Sequence, residues 1–274
     1  MSIKNEYLGF LNSKPLWTDK TLLGLSPFNI EEILENDALP DETEINIRDN
    51  EVLGKRIEFF FEYGITNTDQ YEIIAKNIQV YQNKITIGEL DFLVKDHRNN
   101  NTLHIEVVYK FYLYDPLIEG ELQQWIGPNR KDTLLQKIEK LKTKQLPLLY
   151  REETLSILED LHINSKSIHQ QVYYMANLFV PVSMKKELYP IVNNQCIIGF
   201  WISLKDFTSE QYDSFHFNIP KKKDWVIDPK YSDAWFSFED IKEQVQISLS
   251  QKKSPLLWMR SNEDSYDRFF VVWW

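Results

Sequence analysis

Apolar residues recur at helical spacing in Leu53, Ile57, Phe60 and Phe61, and the frame of Asp49 or Asn50 before them and Gly64 after them predicts a helix of about three turns. Three runs rich in β-branched and aromatic residues follow at 71–81, 84–95 and 102–113, separated by Gln82-Asn83 and by the polar stretch 96–101. They predict a three-stranded antiparallel meander. Leu134, Ile138 and Leu141 mark a second helix over about 132–146, opened by Thr133 and Gln136 in the spacing of a capping box. A polar connection leads to a strand at 172–182. Beyond Pro190 the pattern gives an apolar strand at 196–204, the lysine run Lys221, Lys222 and Lys223 in a loop, a helix near 238–249, and an aromatic run at 269–274 expected as a buried last strand.

Before the first helix the chain is crowded with acid, from Glu31 and Glu35 through Asp41 and Glu44 to Glu51, around a helix that Ser26-Pro27 is placed to start. The expected organisation is therefore a helical extension over 1–48, a core over 49–183 and an α+β extension over 184–274 packed on that core. Helix, three strands, helix, strand is an α/β pattern.

Composition narrows the function. Glycine occurs only eight times among 274 residues, and no group of glycines spells GxGxxG or GxxxxGK, which excludes Rossmann and Walker phosphate loops. Gly24-Leu25-Ser26-Pro27-Phe28 has phenylalanine where a nucleophile elbow needs its second glycine. The single Cys196 makes no internal disulfide or cysteine-rich zinc site, and the five histidines include no HExxH. The start lacks the order of a secretion signal, and no apolar run nears the roughly 18 residues that cross a bilayer, so a cytoplasmic protein with no membrane contact is expected. A net charge of −10 repels nucleic acid as a whole, so any phosphate-binding surface has to be local.

The candidate chemistry sits on the meander. Side-chain alternation puts Glu89 and Asp91 on one face of the second strand, while His104, Glu106, Val108, Lys110 and Tyr112 share one face of the third. If the strands pair through the short turn at 96–101, Asp91 and Glu106 become neighbours. Two carboxylates with a backbone carbonyl between them suit Mg²⁺ or Mn²⁺, which take oxygen ligands and keep waters. Such an ion activates water and neutralises a phosphodiester, and a nearby lysine orients the water. On the second helix Lys137, Lys140 and Lys144 line a stripe beside the apolar seam, preceded by Arg130, and could track a DNA backbone. Gln145 shares the inward face of that helix.

This order of elements, with acid on the second strand and acid plus lysine on the third, resembles the PD-(D/E)XK nucleases, and Gly88-Glu89-Leu90-Asp91 resembles the GEID variant of their first motif. More narrowly, Leu53-Gly54 with Glu58, Gly88 to Asp91, Glu106 to Leu113 and Trp125-Ile126-Gly127-Pro128-Asn129, with the leucine-lysine helix to Gln145, resemble a bacterial family designated domain of unknown function 1853. The resemblance implies a restriction-endonuclease-like αβββαβ core with a central mixed sheet flanked by helices. It implies Asp91, Glu106 and the Val107 carbonyl as metal ligands, Glu58 as an additional acid, and Lys110 as the lysine. The third motif is acid, any residue, lysine, yet position 108 is valine. Strand rise leaves Lys110 about 13 Å from Glu106 between Cα atoms instead of about 7 Å. His104 or Lys137 could then substitute. The rival functional class is a catalytically inactive nuclease-like fold that binds nucleic acid or protein. A plainer alternative makes Glu89, Asp91 and Glu106 the wet outer face of a half-exposed strand.

Overall fold

A computed structural model describes residues 2–18, 21–29, 47–262 and 265–274. The acidic segment of the expected helical extension, 31–46, lies outside the described residues. The chain opens with α1 (Ile3–Asn12), where the Ser2 hydroxyl accepts the Asn5 N–H.

The helix read from Leu53 to Phe61 is α2 (Leu53–Thr66). Gly64 was expected to end it and does not: Gly64 is buried inside the helix, and the apolar seam continues one position further to Ile65 before Asn67 caps it. The meander is present as β1 (Tyr71–Gln82), β2 (Ile85–Asp96) and β3 (Asn101–Tyr114). The short β4 (Trp125–Ile126) pairs with the end of β3. Next comes α3 (Leu134–Lys140), whose Thr133–Gln136 capping box forms as expected; the helix then widens into one π turn at Leu141–Gln145 and tightens into 3₁₀ at Leu146–Tyr150. The remaining elements are α4 (Glu152–Asp160), β5 (Ile168–Pro181), β6 (Ile197–Ser203), the short α5 (Ser209–Tyr212), β7 (His216–Asn218), α6 (Phe238–Ser250), β8 (Leu256–Asn262) and β9 (Ser265–Val272).

These strands form one mixed sheet in the order β1-β2-β3-β5-β6-β9-β8-β7. The centre, β3-β5-β6-β9, is parallel; antiparallel hairpins complete both sides. The protein is thus α/β, with helices on both faces. The residues after 183 add strands to the same sheet as the core.

Central strands buried on both faces read as continuous apolar runs, and β5 is buried from Val172 to Pro181. On one face α1 and α2 press Phe10, Phe60 and Phe61 against Phe92, Ile105 and Tyr173. On the other, α3 and the π turn after it seat Leu134, Ile138 and Leu141 against Val108, Tyr112 and Tyr174. The terminal aromatic run is the expected buried last strand as far as Val272, with Phe269, Phe270 and Val271 fully inaccessible, while Trp273 and Trp274 lie beyond the strand and half-buried. Among the described residues no helix is long and apolar enough to cross a membrane.

Candidate active site

The β2–β3 ladder runs from Asp96 and Asn101 to Phe92 and Ile105 and then opens. One step further in the same register, Asp91 stands opposite Glu106. There the Val107 N–H donates to the Asp91 carboxylate, at 2.9 Å from Oδ2, in place of a strand carbonyl. Beyond this point β2 follows β1, while β3 follows β5 and β4, so the two strands diverge as a fork with the acids at its base. The β1 side is irregular too. Asn77 faces Asp91 with φ of +52°, a conformation asparagine tolerates better than most residues. Leu90 and Phe92, two residues apart, pack into different clusters, so strict alternation fails at Asp91.

Glu106 is 0% exposed and so is His104, which rules out a wet outer face for this part of β3. Both carboxylate oxygens of Glu106 are occupied. His104 Nε2 lies 3.1 Å from Oε1, and Gln145 Nε2 donates to Oε2 at 2.6 Å. The histidine tautomer follows from its other partner. Gln170 Nε2 donates to the Leu146 carbonyl at 2.7 Å and therefore presents its second N–H to His104 Nδ1, 2.9 Å away. His104 Nδ1 accepts, so Nε2 carries the proton and donates to Glu106. His104 holds the acid in place.

Lys137 Nζ donates to Gln145 Oε1 at 2.8 Å, completing a chain from lysine through amide to Glu106. The π turn explains that alignment. Eight residues along an ordinary α-helix put side chains roughly 80° apart, and one extra residue in a turn rotates the second back by about 100°, nearly in line with the first.

From the other side, α2 supplies Glu58 and Lys55. Lys55 Nζ lies 2.5 Å from Glu58 Oε2, 2.7 Å from Asn77 Oδ1 and 3.5 Å from Glu89 Oε1, while Gln79 donates to Glu89. Burial, reinforced by the charges of Glu106 and Glu58, pushes the Asp91 carboxyl up to about 8. Burial likewise raises Glu58, opposed by Lys55, with Glu89 and Glu106 adding to the rise. Burial pushes the Lys137 ammonium down to about 8 against the pull of Glu106. Acids from two strands and one helix thus converge with two lysines.

Among the described residues no three histidine, cysteine, aspartate or glutamate side chains are placed to hold an ion by themselves. A cation here would have Asp91, Glu106 and a backbone carbonyl, and Mg²⁺ commonly takes one or two carboxylates with water filling the rest. The donor set fits that ion in number and kind.

Of the remaining site residues read from the sequence, Lys110 stands apart. Its Nζ pairs with Asp132 Oδ2 at 2.7 Å. Lys140 and Lys144 are exposed on the outside of the helix, whereas Lys137 turns inward, so the three do not form one stripe. Arg130 pairs with the buried Asp115 at 3.0 Å and lies over the Trp274 ring at 4.5 Å. The reading of the sequence missed Lys55 and Gln170. The i,i+3 spacing of Lys55 and Glu58 was the one signal for the former; Gln170 carries no local signal.

The fold and site define a mixed-sheet α/β protein with a half-buried acidic cluster at a strand fork, Glu106 at its fully buried centre. The chain matches the model of the family described as domain of unknown function (DUF1853) over residues 24–272, and it belongs to that family. Neither a curated protein nor a solved structure matches it.

Proposed function

We propose that this protein is a metal-dependent phosphodiesterase with a PD-(D/E)XK-type, restriction-endonuclease-like core that cleaves DNA. The observation that carries the reading is the fork: Asp91 and Glu106 meet in register where β2 and β3 part, with Lys137 and Gln145 brought onto Glu106 from α3 and its π turn. Asp91, Glu106 and the Val107 carbonyl would hold Mg²⁺ or Mn²⁺. When bound, the ion supplies charge neutralisation on the phosphodiester and an activated water. Lys137, not Lys110, is the lysine of this site. Its Nζ, driven toward neutrality by burial, can take a proton near pH 8. Gln145 and His104 fix the Glu106 carboxylate, and Glu58 with Lys55 forms the wall opposite. Lys140, Lys144 and Arg130 lie where they could meet the DNA backbone.

Calorimetric titration of Mg²⁺ and Mn²⁺ into the wild type and Asp91→Asn, with DNA cleavage followed in the same buffers, tests this. Binding lost in the variant together with ion-dependent cleavage is the expected result; no binding at millimolar ion overturns it. One observation favours a second reading, an inactive nuclease-like module that binds nucleic acid. Glu106 already spends both oxygens on internal hydrogen bonds. DNA binding without ion binding or cleavage would decide for that reading.

A further inference from the structure

We infer that a basic, tryptophan-lined groove beside the fork binds single-stranded nucleic acid and leads it to the acidic cluster. The inference rests on the phosphodiesterase reading only for its direction toward the fork. Two cavities of about 590 and 760 Å³ share Asn129, Lys131, Lys222 and Trp225, and so form one continuous groove. Its outer half is lined by Arg130, Lys131, Lys222, Lys252 and Lys253 and by no carboxylate among the described residues. In a chain of net charge −10 this is a concentrated exception. Asp115 neutralises Arg130, but Lys131, Lys222 and Lys252 make no ion pair among the described residues. Their charge is free for an incoming polyanion.

The inner half of the groove reaches the start of α2 at Leu53 and Gly54 and the side of β3; it carries Glu51, with Asp49 and Asp132 paired to Lys223 and Lys110. The next residue of α2, Lys55, holds Glu58 and Glu89, so the acidic cluster begins one helical position beyond the groove's lining. The walls are fixed before any ligand arrives. Ser254 donates through its N–H to Asn129 Oδ1 at 2.9 Å and through its hydroxyl to the Pro128 carbonyl at 2.8 Å, and Trp274 Nε1 reaches the same carbonyl at 3.3 Å.

Two half-buried indoles select the class of polyanion. Trp225 is held against Phe111 and Phe270, with ring centroids 5.1 and 5.3 Å away, and Lys222 Nζ lies 5.8 Å from its ring. Trp273 repeats the pairing with Lys252 Nζ at 5.7 Å. An indole with a cation beside it takes a base and its phosphate together, and stacking contributes about 1–3 kcal/mol per base. A duplex hides its base faces and a polyacidic peptide has none, so a single strand is the ligand that uses both features.

Fluorescence anisotropy of labelled oligothymidylate and oligouridylate with the full chain in EDTA tests the groove without the ion. Binding of either oligomer is expected, the pair telling DNA from RNA, with affinity falling steeply in salt. Lys131→Glu combined with Lys252→Glu should weaken it at least tenfold and flatten the salt dependence. Lys84→Glu at the distant β1–β2 turn should leave it unchanged. Trp225→Phe should remove most of the tryptophan quenching that the oligomer causes. Unchanged binding in the double lysine variant overturns the inference, as does equal affinity for duplex or for polyglutamate. Binding that survives in a protein found not to cleave leaves the groove standing while the phosphodiesterase reading falls.

Discussion

Asp91→Asn should stabilise the ion-free protein at alkaline pH. The Asp91 carboxyl is raised from an ordinary 3.8 to about 8 by burial first and by the Glu106 charge second. A carboxyl raised in the folded state favours folding while protonated, and that contribution is lost as pH rises from the unfolded value through the folded one. The stability curve should therefore fall between about pH 4 and pH 8. At about 1.4 kcal/mol per pH unit the interval corresponds to roughly 5–6 kcal/mol at the limit. Water entering the half-buried fork reduces this, and about 2–3 kcal/mol is the expected gain of the variant at pH 9. Asparagine keeps an acceptor for the Val107 N–H, so the comparison isolates the charge. Urea unfolding of both proteins in EDTA at pH 4, 6 and 9 measures it. The curves should converge at pH 4 and separate at pH 9; an asparagine variant no more stable than the wild type at pH 9 refutes an uncompensated buried charge. Saturating Mg²⁺ should restore the wild type alone.

Lys137→Met should reduce DNA cleavage at least a hundredfold while Lys110→Met changes it less than threefold, measured as single-turnover rates with saturating Mg²⁺. Glu6 pairs with Arg56 through two contacts of 2.5 and 2.7 Å, both residues nearly inaccessible; Glu6→Ala strands the guanidinium and should cost about 3–5 kcal/mol in urea unfolding. A Cβ added at Gly199 would lie 2.2 Å from the Arg268 carbonyl oxygen, so Gly199→Ala should push β6 from β9 and cost about 3 kcal/mol, read as a lowered Tm.

Local pattern carried much of the fold. The meander, α2 and the Thr133–Gln136 cap are set by neighbours within a few residues, and each is present close to its expected bounds. Gly64 misled because glycine marks a helix end only when the apolar seam also ends, and Ile65 continues it. That β6 and β9 extend the core sheet was not legible, since parallel pairing joins residues as distant as Phe200 and Phe269. The site divides the same way. The short turn after Asp96 sets Asp91 opposite Glu106, and counting along β3 set Lys110 about 13 Å from Glu106 between Cα atoms without deciding its role. That Lys137 and Gln145 share a line depends on the π turn, for which the stretch Leu141 to Gln145 carries no recognisable signal. Gln170 and the lysines beyond α6 join their partners only through the tertiary fold.

The fork itself explains why Asp91 belongs to the fold as well as to the proposed site. Opening the ladder after Phe92 and Ile105 takes the Val107 N–H away from β2, and a backbone donor left unpaired inside a sheet costs about 1–3 kcal/mol. Asp91 returns that hydrogen bond with its side chain. A carboxylate at this position therefore props the strands apart and occupies the gap it creates. Alanine and asparagine should part company here. Asp91→Ala removes charge and acceptor together, offsetting its electrostatic gain with an orphaned donor, whereas Asp91→Asn removes charge alone. Both should lose the ion in calorimetry, but only the alanine variant should show faster hydrogen exchange at the Val107 amide. Equal exchange in the two variants would mean that the strands stay apart for another reason, and that Asp91 serves the site without supporting the fold.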